Sequence, residues 1–203
     1  MTDHAAGSRP VAVAITGGIG AGKSEALAAF ARHGAATVSS DEIVHHLLRE
    51  DDEVKGALVE RLGNGIVAPD GSIDRGAVAQ IVFRDRALLG WLEGLLHPRV
   101  SAEYLRWRDA LAELPDPPRV SVTEVPLLYE SGAEKRFDKV VVITAPRKLR
   151  EARTEKVLGA DREKRLLSGA EKAKRADYVY VNTGGLDELD GFVAAVMRAL
   201  TEA

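Results

Sequence analysis

A glycine-rich stretch near the N-terminus limits the possible folds more than any other feature of the chain. Gly17 and the run Gly22-Lys23-Ser24 match the spacing G-x-x-x-x-G-K-[ST]. The stretch follows a short β-branched apolar run, Val11 to Thr16, and leads into an alanine-rich segment, Lys23 to Arg32. In such a strand-loop-helix unit, backbone N–H groups can surround a polyphosphate, and the helix N-terminus favours its negative charge. The pattern predicts an α/β fold that binds nucleotide phosphates.

Two side chains of this loop have the expected phosphate chemistry. Lys23 is expected to reach the β- and γ-phosphates of a nucleotide, and the Ser24 hydroxyl is expected to bind Mg²⁺. The carboxylate of Glu25 suits a helix N-terminus but would lie close to a triphosphate, so we expect its side chain to point away and only its N–H to be used. A glycine-rich turn without a ligand is the alternative, and the Lys-Ser pair after the glycines argues against it.

Composition narrows the class of protein and its partners. The chain has 203 residues, of which 45% are hydrophobic and 29% charged, as in globular proteins with a sizeable core. The formal net charge of −3 is a poor electrostatic match for nucleic acid or an anionic membrane. The chain contains no cysteine, which excludes disulfides and suits the reducing cytoplasm. No apolar run approaches the ~20 residues of a membrane span, and residues 1–9 are predicted to form a flexible polar tail.

The order of apolar runs and turn residues predicts a parallel sheet with an inserted helical segment. Five short runs are predicted strands: Val11–Thr16, Ala36–Ser39, Val120–Val125, Lys139–Thr144 and Tyr178–Val181. Strands that alternate with helices favour a mainly parallel sheet covered on both faces, closed by a helix over 186–200. Residues 10–40 and 116–203 are the predicted core, and residues 41–115 the predicted helical substrate subdomain. Breaks in that subdomain are expected at 69–72 and at His97-Pro98.

Asp41 comes directly after the second predicted strand. The carboxyl ends of parallel strands share one edge of a sheet, so we expect Asp41 on the same side as the glycine-rich loop. A carboxylate there could accept the proton of an acceptor hydroxyl as it attacks the γ-phosphate. Ser40 or Asp41 could instead cap the helix that follows. His45 lies one turn further on the same helix face, where it could contact an anionic substrate, orient Asp41 or be solvated.

Two further features point to phosphate transfer. Glu124 ends the third predicted strand, where an acid often holds a water of the Mg²⁺ shell; solvation at the strand edge is the alternative. The segment 147–175 contains eleven Lys or Arg against five Asp or Glu, a balance suited to a lid that closes over phosphates. For most of these residues, a solvated helical face is the simpler explanation. One or two of four arginines are expected to reach a ligand: Arg150, Arg153, Arg162 and Arg165.

Beyond the loop, the ordered set of motifs resembles the dephospho-coenzyme A kinase family, from about Val11 to Leu200. The set includes Asp41 and these segments: ITGGIGAGKS (15–24), DGSIDR (70–75), VF…WLEGLLHP (82–98), EVPLLYE (124–130) and ADYVYVNTG (176–184). The phosphate loop is common to many nucleotide-binding proteins, whereas WLEGLLHP followed by PLLYE is specific to this family. The resemblance implies a three-layer P-loop kinase fold with a five-stranded parallel sheet, a helical substrate-binding insertion and a basic lid.

The resemblance also implies a reaction. It implies transfer of the γ-phosphate of ATP to the ribose 3′-hydroxyl of dephospho-CoA, the last step of coenzyme A synthesis, with Mg²⁺ as cofactor. The expected partners are ATP and dephospho-CoA, without nucleic acid or membrane. A cytoplasmic enzyme that is a monomer or a weak homo-oligomer is expected.

Site residues are carried over from the matched motifs. Asp41 matches the position of the family's proposed general base, and it is expected to act together with Lys23. The expected ATP site consists of Gly18, Ile19, Gly20, Ala21, Gly22, Lys23, Ser24, Glu25, Arg150 and Asn182. The expected substrate contacts are Thr16, Asp41, His45, His97 and Glu130, and the expected metal ligands are Ser24 and Glu124.

Three features depart from the family pattern: two single positions and one segment. Ser39 stands where the family usually has an acid two residues before its base, and His45 stands where it usually has arginine. The segment before the last strand is short and lacks the usual glutamine. These departures bear on acceptor choice and lid geometry more than on nucleotide binding.

Two alternatives stay open at this point: a P-loop kinase for another small hydroxylated or nucleotide acceptor, and a non-catalytic nucleotide-binding module. A GTPase-type switch would need a guanine-reading Asn-Lys-x-Asp motif, and the sequence contains none. Measuring ATP consumption with and without dephospho-CoA discriminates between the classes, because only a kinase responds to the acceptor.

Overall fold

The fold is an α/β arrangement around one parallel sheet, seen in a computed structural model that describes residues 9–153 and 166–202. The sheet has five strands in the order β2-β3-β1-β4-β5, and every neighbouring pair is parallel. The strands are β1 Val11–Gly17, β2 Ala36–Ser39, β3 Val120–Glu124, β4 Lys139–Thr144 and β5 Tyr178–Val181. The predicted five-stranded parallel sheet is confirmed, with strand bounds within one residue of those expected.

Helices connect these strands and form most of the remaining chain. They are α1 Lys23–Arg32, α2 Ser40–Glu50, α3 Asp52–Leu62, α4 Arg75–Val82, α5 Arg86–Ala112, α6 Arg147–Arg153, α7 Gly169–Ala173 and α8 Leu186–Thr201, with 3₁₀ turns at Asn64–Ile66 and Ala133–Arg136. In the part of the chain that the structure describes, no helix is both long enough and apolar enough to cross a membrane. The chain forms two compact units, one of Ser40–Arg106 and one of the residues before and after it.

The sheet of the first unit is buried on both faces. Successive strand residues point to opposite faces, and β1 shows this clearly. Val13 and Ile15 belong to a cluster with apolar residues of α1 and α8. Ala14 belongs to a second cluster with residues that follow β3, among them Leu128 and Tyr129. The two clusters explain why the strands contain near-continuous apolar runs rather than alternating polar and apolar residues.

The strand order gathers the carboxyl ends of the strands around the loop after β1. From β1 the chain crosses to β2 on one side, and from β3 it crosses back over β1 to β4 on the other side. Ligands of open α/β sheets bind at such a change of direction. Ile15 of β1 pairs with Glu124, the last residue of β3, so Glu124 ends beside the start of the loop.

The second unit has its own apolar core, with buried residues of α2, α3, α4 and α5. The predicted turn between α3 and α4 is confirmed. Oδ1 of Asp70 accepts hydrogen bonds from the N–H and the hydroxyl of Ser72, at 3.0 Å and 2.6 Å. Gly71 follows Asp70 with a positive φ of 82°, as such a turn requires.

The predicted break at His97-Pro98 is wrong, because α5 runs through both residues. Proline cannot donate to the carbonyl four residues earlier, here that of Gly94, and its ring crowds that carbonyl. Leu96 and Val100 are buried on either side of the proline, each with 8% exposure. Packing of an apolar face contributes more to helix stability than local propensity does, so the helix tolerates the proline.

Arg9 is held against the first unit, although the sequence assigned it to a flexible tail; residues 1–8 lie outside the described residues. Its Nη1 and Nη2 each donate to a carboxylate oxygen of Asp138 at 2.7 Å. The Asp138 carboxylate also accepts the N–H of Ala12 at 2.8 Å. The hydrogen bond from Arg9 is the main reason why the pKa of Asp138 lies below its ordinary value.

Stability should depend on pH through Asp138. A carboxylate whose pKa is lower in the folded than in the unfolded chain stabilises the fold above its unfolded pKa of about 3.9, and this contribution is lost as the pH falls through the folded value. We expect Asp138→Asn to lower Tm at pH 7 by about 2–4 °C, since the pair is partly exposed. The difference should shrink below about pH 4. Thermal denaturation at both pH values measures it, with the exposed Asp109→Asn as the control; a difference independent of pH would contradict the account.

Candidate active site

The glycine-rich loop joins β1 to α1 at the centre of the sheet. Gly22 directly precedes α1 and has φ 96° and ψ 28°, a left-handed conformation that favours glycine. Ala21 is fully buried, whereas Gly18, Ile19 and Gly20 are half-buried. A glycine loop in front of a helix N-terminus is the arrangement that binds phosphate groups through backbone N–H groups.

Lys23 and Glu124 form a close and largely buried pair of opposite charges. Nζ of Lys23 lies 3.9 Å from Oε1 of Glu124, and the side chains are 11% and 7% exposed. The same ammonium donates to the carbonyl oxygen of Gly18 at 3.2 Å. The strand register therefore brings together the cation that the sequence predicted for phosphates and the carboxylate that it predicted for a metal.

Asn182 ties the loop to the end of β5. Its Nδ2 donates to the carbonyl oxygen of Ala21 at 2.9 Å, and the residue is 6% exposed. Its Oδ1 accepts hydrogen bonds from Nη2 of Arg153 at 3.2 Å and from the N–H of Gly184 at 3.0 Å. One buried amide thus orients the loop, the helix α6 and the turn after β5.

Two arginines of α6 lie against the same loop. Nη1 of Arg153 is 3.5 Å from the carbonyl oxygen of Gly20. Nη1 of Arg150 is so close to Gly18 that a Cβ on this glycine would lie 3.2 Å from it. Guanidinium groups bind phosphate oxygens strongly, so this face of α6 complements an anionic ligand on the loop.

Replacing Gly22 by alanine should weaken ATP binding. A Cβ at this position would lie 2.3 Å from Nδ2 of Asn182, so the amide must leave its hydrogen bond to Ala21. We expect the Kd for ATP to rise by at least about tenfold, which corresponds to about 1.4 kcal/mol. Titration with a fluorescent ATP analogue measures this change.

Gly34→Ala is the matched control for this prediction. Gly34 also has a left-handed backbone, with φ 88°, but no atom lies within 4 Å of its Cβ position. Both substitutions introduce backbone strain, and only the one at Gly22 displaces the amide. Equal losses of ATP affinity in the two variants would show that the amide contact does not matter for binding.

Ser24 and Glu25 occupy the first turn of α1. Ser24 is exposed, so its hydroxyl is accessible to a ligand on the loop. Oε1 of Glu25 accepts a hydrogen bond from Nη1 of Arg32, two turns along the same helix, at 3.3 Å. The carboxylate of Glu25 therefore points away from the loop, as the sequence predicted, and use of its N–H stays a prediction.

The donor chemistry of Ser24 and Glu124 fits Mg²⁺. Hydroxyl and carboxylate oxygens are the hard ligands that this ion prefers, and Mg²⁺ usually completes its shell with waters and substrate phosphates. Across residues 9–153 and 166–202, no group of three His, Asp or Glu side chains is arranged to hold a metal on its own. The two residues suit a metal whose other ligands are waters and substrate phosphates.

Two predicted substrate contacts, Thr16 and Glu130, are engaged within the protein. Thr16 is fully buried, and its hydroxyl donates to the carbonyl oxygen of Pro126 at 3.2 Å. Oε1 of Glu130 lies 3.0 Å from Nζ of Lys172 and accepts the N–H of Leu167 at 3.0 Å. The structure gives both side chains a packing role, and their contact with substrate stays a prediction.

Three predicted acceptor-side residues belong to the second unit. Asp41 is exposed and is the second residue of α2, so it lies within the first turn rather than at the cap position. The buried hydroxyl of Ser40 finds no hydrogen-bond partner among the described residues, so the alternative in which Ser40 caps the helix is wrong. His45 is exposed one turn after Asp41, and His97 is half-buried within α5. Their functional roles stay predictions.

The sequence located the loop residues but not all the side chains that hold them in place. Arg153 appeared only as one of four candidate arginines, and Lys172 was not singled out. A lysine in a basic segment resembles its neighbours, and no sequence signal shows that this one is buried. Of the predicted lid, residues 154–165 lie outside the described residues, and with them Arg162 and Arg165.

Known proteins are similar to this chain over almost its whole length. A family model described as dephospho-CoA kinase matches residues 11–188. A dephospho-CoA kinase of Protochlamydia amoebophila is 40% identical over 188 residues, which cover 87% of this chain and 90% of that protein. One of Symbiobacterium thermophilum is 38% identical over 193 residues, which cover 92% and 80%.

A solved structure is similar as well. The dephospho-CoA kinase from Campylobacter jejuni superposes with a TM-score of 0.68 at 24% identity, covering 97% of this chain and 100% of that chain. This likeness shows that the two share a fold. Together with the family match, which includes both the glycine-rich loop and the inserted helices, it leads to one conclusion. The chain belongs to the dephospho-CoA kinase family.

Proposed function

We propose that this protein transfers the γ-phosphoryl group of ATP to the ribose 3′-hydroxyl of dephospho-CoA and so completes coenzyme A. A bond forms between the 3′-oxygen and the γ-phosphorus, and the bond from that phosphorus to the β–γ bridging oxygen breaks. ADP leaves, and the hydroxyl proton passes to a base. The observation that carries the proposal is the extent of the family match, which runs over residues 11–188 and thus spans both compact units.

The first unit binds the phosphoryl donor. Backbone N–H groups of the loop from Gly18 to Ser24 bind the phosphates of ATP at the N-terminus of α1. Lys23 exchanges its contact with the Gly18 carbonyl for the β- and γ-phosphates, where its charge stabilises the transferring group. Arg150 adds a second cation beside the loop. Asn182 fixes the loop conformation through its hydrogen bond to the carbonyl oxygen of Ala21.

The proposed reaction uses ATP with Mg²⁺, for which this chain offers two oxygen ligands. Ser24 and Glu124 would hold it, the serine through its hydroxyl and the glutamate directly or through a water. When bound, the ion neutralises charge on the β- and γ-phosphates. Nζ of Lys23 lies 3.9 Å from Oε1 of Glu124, so the attraction between the two charges helps to orient both side chains.

The second unit supplies the groups that act on dephospho-CoA. The Asp41 carboxylate accepts the proton of the 3′-hydroxyl as the oxygen attacks. His45, one turn further along α2, and His97 of α5 contact the anionic acceptor. Thr16 and Glu130 stabilise the backbone around the site, Thr16 through its hydrogen bond to Pro126 and Glu130 through its hydrogen bond to Leu167.

The test is acceptor-dependent ADP release by the purified protein. We expect ADP release to rise at least about tenfold when dephospho-CoA is added with ATP and Mg²⁺, and to stay at the basal rate with adenosine as acceptor. A rate that does not change with dephospho-CoA would overturn the proposal. Stimulation by adenosine alone would point to a kinase for a different acceptor.

We further propose that the enzyme works in the cytoplasm, where it is a monomer or a weak homo-oligomer. Light scattering of the purified protein over a range of concentrations measures the mass in solution. A single mass of one chain, or a concentration-dependent rise above it, agrees with the proposal. A stable assembly that persists on dilution would contradict it.

A further inference from the structure

The side chain of Lys172 is almost completely removed from solvent. It belongs to the short helix α7 and is 1% exposed. Its Nζ donates to the carbonyl oxygen of Pro126 at 2.9 Å and lies 3.0 Å from Oε1 of Glu130. Moving an ammonium out of water is costly, and a buried ion pair often contributes little to stability compared with apolar residues of the same size. Its position in the fold therefore calls for an explanation other than stability.

The carbonyl oxygen of Pro126 receives two donors. One is the Lys172 ammonium, and the other is the hydroxyl of Thr16 at 3.2 Å. Thr16 lies directly before Gly17, where β1 ends and the glycine-rich loop begins, and Pro126 lies two residues after Glu124 at the end of β3. The Thr16 hydroxyl thus joins the ends of β1 and β3 at the nucleotide site, and Lys172 ties α7 to the same carbonyl.

We infer that Lys172 is a positioning residue for phosphoryl transfer, which acts through the Pro126 carbonyl to fix Glu124 relative to the phosphate loop. The inference deepens the proposed function and rests on it. The backbone from Glu124 to Pro126 is held at both ends, because the N–H of Val125 donates to the carbonyl of Ile15 at 2.8 Å. With the Lys172 contact removed, Glu124 keeps its strand pairing, but the segment that follows it keeps only the weaker of its two restraints, the hydroxyl of Thr16.

The Glu130 carboxylate is the counter-charge of the buried Lys172 ammonium and holds it in place. Its Oε1 faces Lys172 and also accepts the N–H of Leu167, two residues before α7 begins. Removing only the lysine would leave the carboxylate buried without its counter-charge, which destabilises proteins strongly. A clean test therefore removes both charges and keeps an acceptor for Leu167.

The test compares Lys172→Met/Glu130→Gln with Glu130→Gln alone; thermal denaturation first checks that Glu130→Gln folds, because it leaves the Lys172 ammonium buried without its counter-charge. The amide oxygen at position 130 can still accept the Leu167 N–H, so the two variants differ in the contact between Lys172 and Pro126. Binding of a fluorescent ATP analogue is titrated with Mg²⁺ and with EDTA. We expect the loss of Lys172 to weaken binding by about tenfold with Mg²⁺ and by less than about twofold in EDTA, since Lys172 positions Glu124, which would bind the metal rather than the nucleotide.

Turnover gives a second readout. We expect kcat to fall by about 10–10²-fold relative to Glu130→Gln, while KM for dephospho-CoA stays within about threefold, because small misplacements near the reacting phosphate are costly. Lys174→Met is the matched control, since Lys174 is an exposed lysine at the C-terminal end of the same helix. It should leave both binding and kcat unchanged.

Three outcomes are decisive. Equal Mg²⁺-dependent binding with and without Lys172 overturns the inference, as does an equal loss in EDTA, which would indicate a purely structural role. If either variant does not fold, Thr16→Val removes the other donor to Pro126; unchanged Mg²⁺-dependent binding there would show that restraint of the Pro126 carbonyl does not matter, which overturns the inference. If dephospho-CoA does not change ADP release by the wild-type protein, only the proposed function is refuted, because the nucleotide titration still tests the role of Lys172.

Discussion

Lys23→Met is expected to lower kcat by roughly 10²–10³-fold or more, because we propose that the ammonium stabilises the transferring phosphate in the transition state. Methionine keeps the length of the side chain, which is only 11% exposed, so the packing beside the loop is preserved. The Glu124 carboxylate loses a neighbouring charge, for which we expect a stability cost of about 1–3 kcal/mol. Steady-state kinetics with saturating ATP and dephospho-CoA, together with thermal denaturation, measure the two effects.

Lys139→Met is the matched control for Lys23→Met. Lys139 lies in the same unit and pairs with Asp177 at 3.0 Å, but its side chain is 44% exposed and far from the loop in the sheet register. This variant should keep its kcat within about twofold of the parent, since exposed ion pairs contribute little. A folded Lys23→Met variant with near-normal kcat would refute the role given to the ammonium.

Asp41→Asn should separate catalysis from helix stability. In the first turn of α2, asparagine loses only the interaction of the carboxylate charge with the helix dipole, about 0.3–1 kcal/mol, so we expect Tm within a few degrees of the parent. The amide cannot accept the hydroxyl proton, and a positioned general base contributes roughly 10²–10⁴-fold. We therefore expect kcat to fall by at least about 10²-fold while the Kd for ATP is unchanged.

The neighbouring Glu42→Gln is the control for Asp41→Asn. Glu42 is also exposed in the first turn of α2, so its replacement removes one negative charge from the same helix end. Its kcat should stay close to that of the parent. If Asp41→Asn also keeps most of its kcat, Asp41 is not the base, and its carboxylate serves only the helix N-terminus.

The sheet could be predicted from the sequence because its strands are local signals. The β1 run is β-branched, ends in glycines and is followed by a helix, and each later strand ends at a proline, a polar residue or an asparagine. Such boundaries depend on residues next to the strand, so they can be recognised without knowledge of its neighbours. The strand order was not predicted, because it depends on which strands pair in the folded sheet.

Pro98 shows where local signals fail. A proline preceded by histidine predicts a helix break, yet α5 continues because buried residues on both sides hold it in place. Leu96 belongs to a cluster with buried residues of α3 and α4, which are separate elements earlier in the chain. Tertiary packing overrides a local preference of this size, and no pattern within ten residues of Pro98 reveals it.

The site shows the same division. Lys23 could be predicted because it belongs to the G-x-x-x-x-G-K-[ST] motif, and Glu124 because it lies at the end of a predicted strand. The contacts that hold the loop could not, since Asn182 reaches Ala21 across 161 positions and Lys172 reaches Pro126 across 46. Such long-range contacts leave no periodic pattern in the sequence, because only the folded chain brings their partners together.

The identity of the reaction product tests whether the chain phosphorylates dephospho-CoA at the ribose 3′-hydroxyl. The purified protein is incubated with ATP, Mg²⁺ and dephospho-CoA, and the products are separated and analysed by mass spectrometry and ³¹P NMR. We predict one new phosphomonoester per ADP formed, with coupling that places it on the 3′-oxygen of the ribose. ADP without a phosphorylated acceptor, or a phosphate at another oxygen, would contradict the claim.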